Sequence, residues 1–349
     1  MKSNDRERGR VILTPGTPIP EDLEFIEVGR STRRQFSTPM ELLRPVVGMP
    51  LALMQANIRH RSQIAPFIEA FVDSDATGLI LAISEGVQRS FGVCVEDAAY
   101  FASRIIEEQN RSRGSDRVTQ KRVAFLLDHA LTYDAVERAL QAGVSGIMYD
   151  PSMGGRRAIS IEENIILSKR FVELAARYEA SVELEVGVIP GMEGAVETEF
   201  TDPSALAILV KAFPDVAVAV SVGNEHYRLS PKGRGLQLGL FSRIRETVPG
   251  TPLVLHGGTG VSDVDLRSAI ASCLLDKLNV GTEFMRWALQ ALAGVMEMEK
   301  PTSQQLRDPV YYRSLLFHLD AYPQKYLGAA QSAVYRVASA KLAFLTGGQ

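Results

Sequence analysis

Residues 122–150, RVAFLLDHALTYDAVERALQAGVSGIMYD, contain the repeating structural unit of this protein. The segment opens with an apolar run at 122–127, which is typical of a buried strand. It continues with an amphipathic stretch at 132–143 that predicts a helix, and it ends in a second apolar run at 145–150. A strand, a helix and a strand in this order predict a βαβ unit with parallel strands.

The same alternation continues on both sides of this unit, from about residue 50 to residue 281. Several helix candidates begin with Ser, Thr or Asp and end with Gly, as helix caps do. Eight parallel strands with their helices predict one closed (β/α)8 barrel, the TIM barrel, and an open doubly wound sheet is the alternative. The eight predicted strands are residues 50–57, 78–84, 122–127, 145–150, 181–186, 216–222, 252–257 and 276–281.

The two ends of the chain fall outside the repeat. Residues 1–37 are rich in charge, Pro and Gly, and we expect them to form an N-terminal arm. Residues 38–299 then form the barrel. Residues 300–349 predict further helices that pack on the barrel or on a partner subunit.

Composition excludes several classes of protein. The chain has 349 residues, 46% of them hydrophobic, so it can bury a large core. Its 38 Lys and Arg against 41 Asp and Glu provide no basic field for nucleic acid or an anionic membrane. We find no apolar run long enough to cross a bilayer and no signal peptide, which predicts a cytoplasmic protein. The two cysteines, Cys94 and Cys273, lack CxxC spacing, so a metal must be held by histidines and carboxylates.

Polar residues at the ends of the predicted strands are the candidates for an active site, because the active sites of such barrels lie at the carboxyl ends of the strands. His129, His226 and His256 stand at the ends of strands three, six and seven, with Asp128 and Glu185 nearby. Three imidazoles that converge there, with one coordination position left open, suit catalytic Zn²⁺. Three unrelated histidines with local hydrogen bonds are the alternative.

Two loops complete the predicted site. In HGGTG at 256–260, Gly257 and Gly258 allow close approach to backbone N–H groups and Thr259 adds a hydroxyl, which predicts a phosphate cradle, although glycines are also common in ordinary βα turns. Glu193 lies in the Gly-rich loop after strand five, where it is either a mobile acid or base or a solvated charge. Asp128 is predicted to transfer a proton, or to support the histidine beside it.

Five ordered motifs resemble one enzyme family, the class II, metal-dependent fructose-bisphosphate and tagatose-bisphosphate aldolases. The similarity spans residues 38–345, and the motifs are LLDHA at 126–130, ELEVGVIPGMEG at 183–194, GNEH at 223–226, LVLHGGTGV at 253–261 and KLNVGTE at 277–283. The resemblance implies a homodimeric or homotetrameric barrel enzyme with one zinc ion per subunit. It also implies a phosphorylated sugar substrate, dihydroxyacetone phosphate as the aldol donor and, in many members, a monovalent cation at the phosphate.

The resemblance also implies roles for individual residues. His129, His226 and His256 match the zinc ligands, and Glu185 matches a glutamate that joins the resting metal site. Asp128 matches the group that handles the hydroxyl proton during carbon–carbon cleavage, and Glu193 the group that exchanges the donor's carbon-bound proton. The positions that match those holding the donor phosphate or hydroxyls are Asn57, Ser84, Gly257, Thr259, Asn279 and Thr282.

Departures from the family pattern surround the substrate more than the metal. Tyr227 stands where the family has a glycine, and Gly281 stands where it has an aspartate. The strand-four motif is followed by an insertion with Arg156 and Arg157, which either hold an anionic group of the acceptor aldehyde or form a solvated basic loop. These changes predict a zinc aldolase whose acceptor can differ from glyceraldehyde 3-phosphate.

Two other functions remain compatible with the sequence. A metal-dependent sugar-phosphate epimerase or isomerase can use the same metal and two carboxylates. A non-catalytic partner subunit is the third possibility, although the retained histidines, Asp128 and Glu193 argue against it. A Schiff-base mechanism is not expected, because Lys277 lies before the core of strand eight and is predicted to point away from the site.

Overall fold

The computed structural model describes residues 36–91, 93–112, 122–152, 159–190, 199–226, 235–302 and 304–348. Nearly all of the predicted N-terminal arm lies outside these ranges. Arg156, Arg157 and Glu193 lie outside them as well.

Eight parallel strands form a closed barrel in chain order. The first strand pairs with the second and also with the eighth, so the sheet has no free edge. The predicted TIM barrel is therefore confirmed, and the open doubly wound sheet is excluded. The strands are β1 Leu53–Asn57, β2 Gly78–Ser84, β3 Arg122–Ala130, β4 Gly146–Tyr149, β5 Ser181–Val186, β6 Val216–Val220, β7 Leu253–Leu255 and β8 Lys277–Val280.

Helices precede, connect and follow the strands. Several begin at the predicted caps: the Thr132 and Ser262 side chains accept hydrogen bonds from backbone N–H groups of the first turn, and Asp202 does the same. The helices are α1 Pro39–Leu43, α2 Ile64–Asp73, α3 Glu85–Phe91, α4 Val95–Ser112, α5 Tyr133–Gln141, α6 Ile161–Arg177, α7 Pro203–Ala212, α8 Leu238–Thr247, α9 Asp263–Ala271, α10 Thr282–Val295, α11 Pro309–Ala321 and α12 Pro323–Leu345.

The interior of the barrel near the amino ends of the strands is apolar and is closed by α1. Pro39 lies at the first residue of β4, where a Cβ on Gly146 would come within 2.6 Å of the proline ring. The Met40 N–H donates to the Ser181 hydroxyl at the start of β5. Helix α1 therefore covers the amino ends of the strands, opposite the predicted site. The residues of this cluster are Met40, Leu42, Leu43, Val46, Leu53, Ile80, Ala82, Ala124, Leu126, Met148, Ala217, Ala219 and Val254.

A second and larger apolar layer separates the strands from the surrounding helices. Phe67, Phe71, Phe171 and Phe241 are fully buried in it. Because both faces of each strand are covered, the strands form nearly continuous apolar runs, which explains why they could be recognised in the sequence. Among the described residues, no helix is long and apolar enough to cross a membrane.

Both ends of the described chain pack on the barrel. Phe36, which the prediction assigned to the arm, is buried with its ring centroid 5.5 Å from that of Phe125 in β3. At the other end, Val334, Ala338 and Leu342 of α12 belong to the layer between strands and helices. The C-terminal helices are thus part of the barrel's own core.

Candidate active site at the carboxyl end of the barrel

A pocket that is partly open to solvent lies at the carboxyl ends of the strands. Most of the residues predicted for the site line it, and they come from distant parts of the chain. The lining residues are Asn57, Ile58, Arg59, Ser84, Val87, Asp128, His129, His226, His256, Gly257, Thr259, Asn279, Gly281 and Thr282.

Three imidazoles converge at the base of this pocket. One ring nitrogen from each of His129, His226 and His256 lies within 4.8 Å of the others. The ring centroids are 5.0 to 5.5 Å apart. Ligand atoms of His129, Asp150 and Glu185 form a second group within 4.8 Å, so the predicted carboxylate lies beside His129. This donor set fits a zinc ion.

A bulge at the end of β3 brings two consecutive residues toward the site. In a regular strand Asp128 and His129 would face opposite sides. The pairing of β3 with β4 shifts between Leu127 and Ala130, and His129 has a left-handed backbone with φ 47°. As a result both side chains line the pocket. The predicted strand ended at residue 127 because the sequence does not reveal the bulge.

Burial keeps two of the histidines neutral. The pKa of His226 is well below its ordinary value, because the ring is desolvated and because His129 and His256 lie nearby. Desolvation, followed by the neighbouring His129, also lowers the pKa of His256 well below the ordinary range. Neutral imidazoles retain the lone pair that a metal ligand requires.

Glu185 is a buried carboxylate in a negative environment. Burial and, next, the charge of Asp150 raise its pKa well above the ordinary value, while the Ile189 amide acts in the opposite direction. Within the described parts of the chain, neither oxygen of Glu185 has a hydrogen bond of normal geometry. A cation bound here would compensate this charge, which again fits the predicted metal site.

The buried side chain of Asp128 is oriented by a hydrogen bond from a neighbouring amide. It is 1% exposed, and its Oδ2 accepts a hydrogen bond of 2.6 Å from Nδ2 of Asn57. Its Oδ1 has no hydrogen-bond partner among the described residues. One oxygen is therefore held, and the other remains available for proton transfer.

The glycine turn after β7 has the tight geometry that its sequence predicted. Gly257 has φ 70°, and a Cβ there would lie 2.1 Å from the carbonyl oxygen of Glu225. Gly258 packs against Leu278 and does not line the pocket. The Thr259 hydroxyl accepts from the Glu283 N–H at 3.1 Å, so it lies at the first turn of α10 rather than at that of α9.

Four lining residues are not among the predicted site residues: Ile58, Arg59, Val87 and Gly281, the last of which the sequence marked only as a departure from the family pattern. Arg59 follows the end of β1, and its Nη2 lies 3.4 Å from Oγ1 of Thr282. Gly281 leaves this side of the pocket open, since a Cβ there would lie 3.0 Å from that of Asn57. A cation directly after a strand end was the available signal for Arg59. The Lys277 side chain is buried and is not part of the lining.

The fold and this site together define a (β/α)8 barrel whose candidate catalytic groups stand at the carboxyl ends of the strands. The profile of the family described as fructose-bisphosphate aldolase class-II matches residues 38–347. This chain belongs to that family, a family of lyases, and the resemblance in its motifs is confirmed.

Curated relatives agree with this assignment, and a solved structure shares the fold. The chain is 39% identical over 163 residues to a fructose-bisphosphate aldolase of Mycoplasma genitalium, covering 46% of this chain and 54% of that protein. It thus spans about half the length of that relative. A Staphylococcus aureus (strain Mu50) fructose-bisphosphate aldolase is 29% identical over 298 residues, covering 83% of this chain and 90% of the relative. The crystal structure of the YdjI aldolase from Escherichia coli K12 shares the fold, with a TM-score of 0.66 and 22% identity over 89% of this chain and 97% of that chain.

Proposed function

We propose that this protein is a zinc-dependent class II aldolase that reversibly cleaves a ketose phosphate, with dihydroxyacetone phosphate as the donor. The observation that carries the proposal is the convergence of His129, His226 and His256 on one point beside Asp128. Membership of the aldolase family supports the same chemistry.

Zinc would be held by the three histidines, with Glu185 as an additional ligand in the resting site. When bound, it supplies a Lewis acid that polarises a carbonyl and offsets the negative charge that develops as the carbon–carbon bond breaks. Asp128 takes the hydroxyl proton of the ketose during cleavage. Glu193 exchanges the carbon-bound proton of the donor.

The remaining polar groups bind the two halves of the substrate. The donor phosphate and hydroxyls lie among Asn57, Ser84, the turn at Gly257–Thr259, Asn279 and Thr282, and a monovalent cation can share this phosphate site. Arg156 and Arg157 bind an anionic group of the acceptor aldehyde. A homodimer or homotetramer in the cytoplasm, with neither nucleic acid nor membrane as a partner, belongs to the same proposal.

Metal analysis combined with a retro-aldol screen of phosphorylated ketoses tests this function. We expect one zinc per chain, release of the donor from at least one ketose phosphate, and loss of that activity with a chelator. Asp128→Asn is expected to keep its zinc and to lower kcat by about 10²- to 10⁴-fold, because only proton transfer is removed.

Four outcomes would contradict the proposal. Activity without metal, or no donor release from any ketose phosphate, would show that the enzyme is not a zinc aldolase. Rearranged sugars in place of cleavage products would indicate an epimerase or isomerase. A chain that purifies without zinc and without activity would fit a non-catalytic subunit.

A further inference from the structure

A layer of buried polar side chains lies between the pocket and the apolar part of the barrel interior that α1 closes. It contains Gln55 from β1, Glu183 from β5 and Lys277 from β8, all of them at most 2% exposed. Charges are rarely buried in this way unless they are paired, because removing them from water is costly. Each of these three side chains has a polar partner within the layer or beside it.

Lys277 connects the layer across the barrel axis. Its ammonium Nζ lies 2.5 Å from Oε2 of Glu183 and also donates to Oε1 of Gln55. An ammonium group can only donate hydrogen bonds. Both acceptors must therefore turn an oxygen toward Lys277. This orientation determines whether their other polar atoms donate or accept hydrogen bonds.

The first arm of the network leads to the metal site. Oε1 of Glu183 lies 2.9 Å from Nε2 of His256. The Glu183 carboxylate can only accept, so Nε2 carries the ring hydrogen and Nδ1 keeps its lone pair; the side-chain amide of Asn279, 2.9 Å from the same Nε2, must then turn its oxygen toward it. The Lys277–Glu183 pair thus selects the tautomer and the orientation in which His256 can serve as a metal ligand.

The second arm leads to the proton-transfer group. Since Oε1 of Gln55 accepts from Lys277, its Nε2 donates to Oδ1 of Asn57 at 2.9 Å. Nδ2 of Asn57 then donates to Oδ2 of Asp128 at 2.6 Å. Each amide is oriented by the one before it, so the direction of the whole chain is set by the ammonium.

We propose that Lys277 is a positioning residue that orients His256 through Glu183 and Asp128 through Gln55 and Asn57. The inference rests on the proposed function, because it assigns roles around a zinc ligand and an acid–base residue. It explains why a charged pair occupies a place in the barrel that apolar side chains could fill more cheaply.

The first test removes both charges together. In Glu183→Leu/Lys277→Met no unpaired charge remains in the interior, and such replacements often leave stability unchanged or improved. We expect the folded variant to bind zinc about 10- to 100-fold more weakly than the parent in competition with a chelator. Zinc affinity is measured without substrate, so the result does not depend on turnover.

The second test interrupts only the arm to Asp128. Gln55→Met removes no charge and preserves the approximate volume, so we expect it to fold. Its zinc affinity should stay within about threefold of the parent, while kcat for cleavage falls about tenfold and KM is little changed. Exchange of the donor's carbon-bound proton with deuterated solvent, followed by NMR, should be retained, because that step uses Glu193.

A second buried ion pair provides the matched control. Arg245 pairs with Asp276, which is fully buried and accepts from the Leu253 N–H at 2.7 Å, near the amino ends of the strands. Arg245→Met/Asp276→Asn disrupts a second buried pair, neither member of which lines the pocket. It is expected to change stability while leaving zinc affinity and the ratio of proton exchange to cleavage unchanged.

Two results would overturn the inference. One is a folded Glu183→Leu/Lys277→Met variant with the parent's zinc affinity. The other is a Gln55→Met variant in which cleavage is unaffected or in which proton exchange and cleavage slow equally, and this variant decides the matter even where the double variant does not fold. Failure of the proposed function is distinguishable, because the parent itself would then bind no zinc or cleave no ketose phosphate.

Discussion

Two residues of the site are held in conformations or environments that cost stability. His129 adopts a left-handed backbone with φ 47°, a conformation that only a few per cent of residues other than glycine adopt. Glu185 is buried among other acidic groups. Such costs are common where a protein keeps groups ready for a ligand, and both residues belong to the candidate metal site.

Glu185 permits a prediction about the metal-free protein at different pH values. Its pKa in the folded state is raised by burial and by Asp150. At pH values between the ordinary pKa and the raised pKa, the folded protein therefore holds a proton that the unfolded chain releases. The resulting contribution to stability is present below the ordinary pKa of a glutamate and is lost as the pH rises through the raised pKa. We expect Glu185→Gln to increase the unfolding free energy of the metal-free protein at about pH 8 by about 1 kcal/mol or more.

Urea unfolding of the two metal-free proteins at about pH 8 and about pH 5 measures this effect. His226 and His256 act in the opposite direction, because their lowered pKa values make the fold less stable as the pH falls below the ordinary value of histidine. They are the same in both proteins and cancel in the difference. If the unfolding free energies of the two proteins differ by the same amount at both pH values, the charge of Glu185 does not destabilise the folded state.

At the scale of single elements, the turn after β7 is determined by steric exclusion. A Cβ at Gly257 would lie 2.1 Å from the carbonyl oxygen of Glu225, and the backbone there is left-handed. His256 immediately precedes this position, so the turn also determines where a candidate zinc ligand stands. A glycine in this position is required by the local geometry, unlike a glycine on an exposed helix.

Gly257→Ala is therefore expected to lower the unfolding free energy by about 2 kcal/mol or more and to weaken zinc binding, because the turn must move. Gly294→Ala is the control. Gly294 lies in α10 with open space around it, so a methyl group there should raise stability by about 0.5–1 kcal/mol. Chemical denaturation and zinc titration measure both effects, and equal behaviour of the two variants would contradict the steric argument.

At the scale of the whole molecule, the C-terminal helices and the barrel share one core. Leu342 of α12 is 1% exposed and belongs to the same buried cluster as residues of the strands. The backbone also connects them, since the Ala52 N–H donates to the Leu345 carbonyl at 3.0 Å. We infer that α12 unfolds together with the barrel rather than separately.

Leu342→Ala is expected to lower the unfolding free energy by about 2–5 kcal/mol in a single cooperative transition. Val310→Ala on α11 serves as the control, because Val310 is 70% exposed and should change stability by no more than about 0.5 kcal/mol. Circular dichroism and fluorescence followed during the same denaturation test cooperativity. Two separated transitions in the parent protein would show that the helices form an independent unit.

The architecture could be predicted from the sequence because its determinants are local. Each strand is an apolar run of a few residues, each helix has its own period and cap, and eight repeats of this pattern imply a barrel. Strands β2 and β5 have the predicted bounds. Strand β3 continues past its predicted end at residue 127, through a bulge to Ala130.

The site could be predicted only in part, because some of its determinants are not local. The residue types at the strand ends identified His129, His226, His256 and Asp128 as candidates, since a barrel brings strand ends together. That His129 faces the pocket depends on the bulge, and the pairing of Lys277 with Glu183 and Gln55 depends on side chains meeting across the barrel axis. Local patterns in the chain therefore specify the elements and the chemical groups. Their convergence, their burial and the resulting pKa shifts are decided by contacts between residues far apart in the chain, which only the tertiary structure brings together.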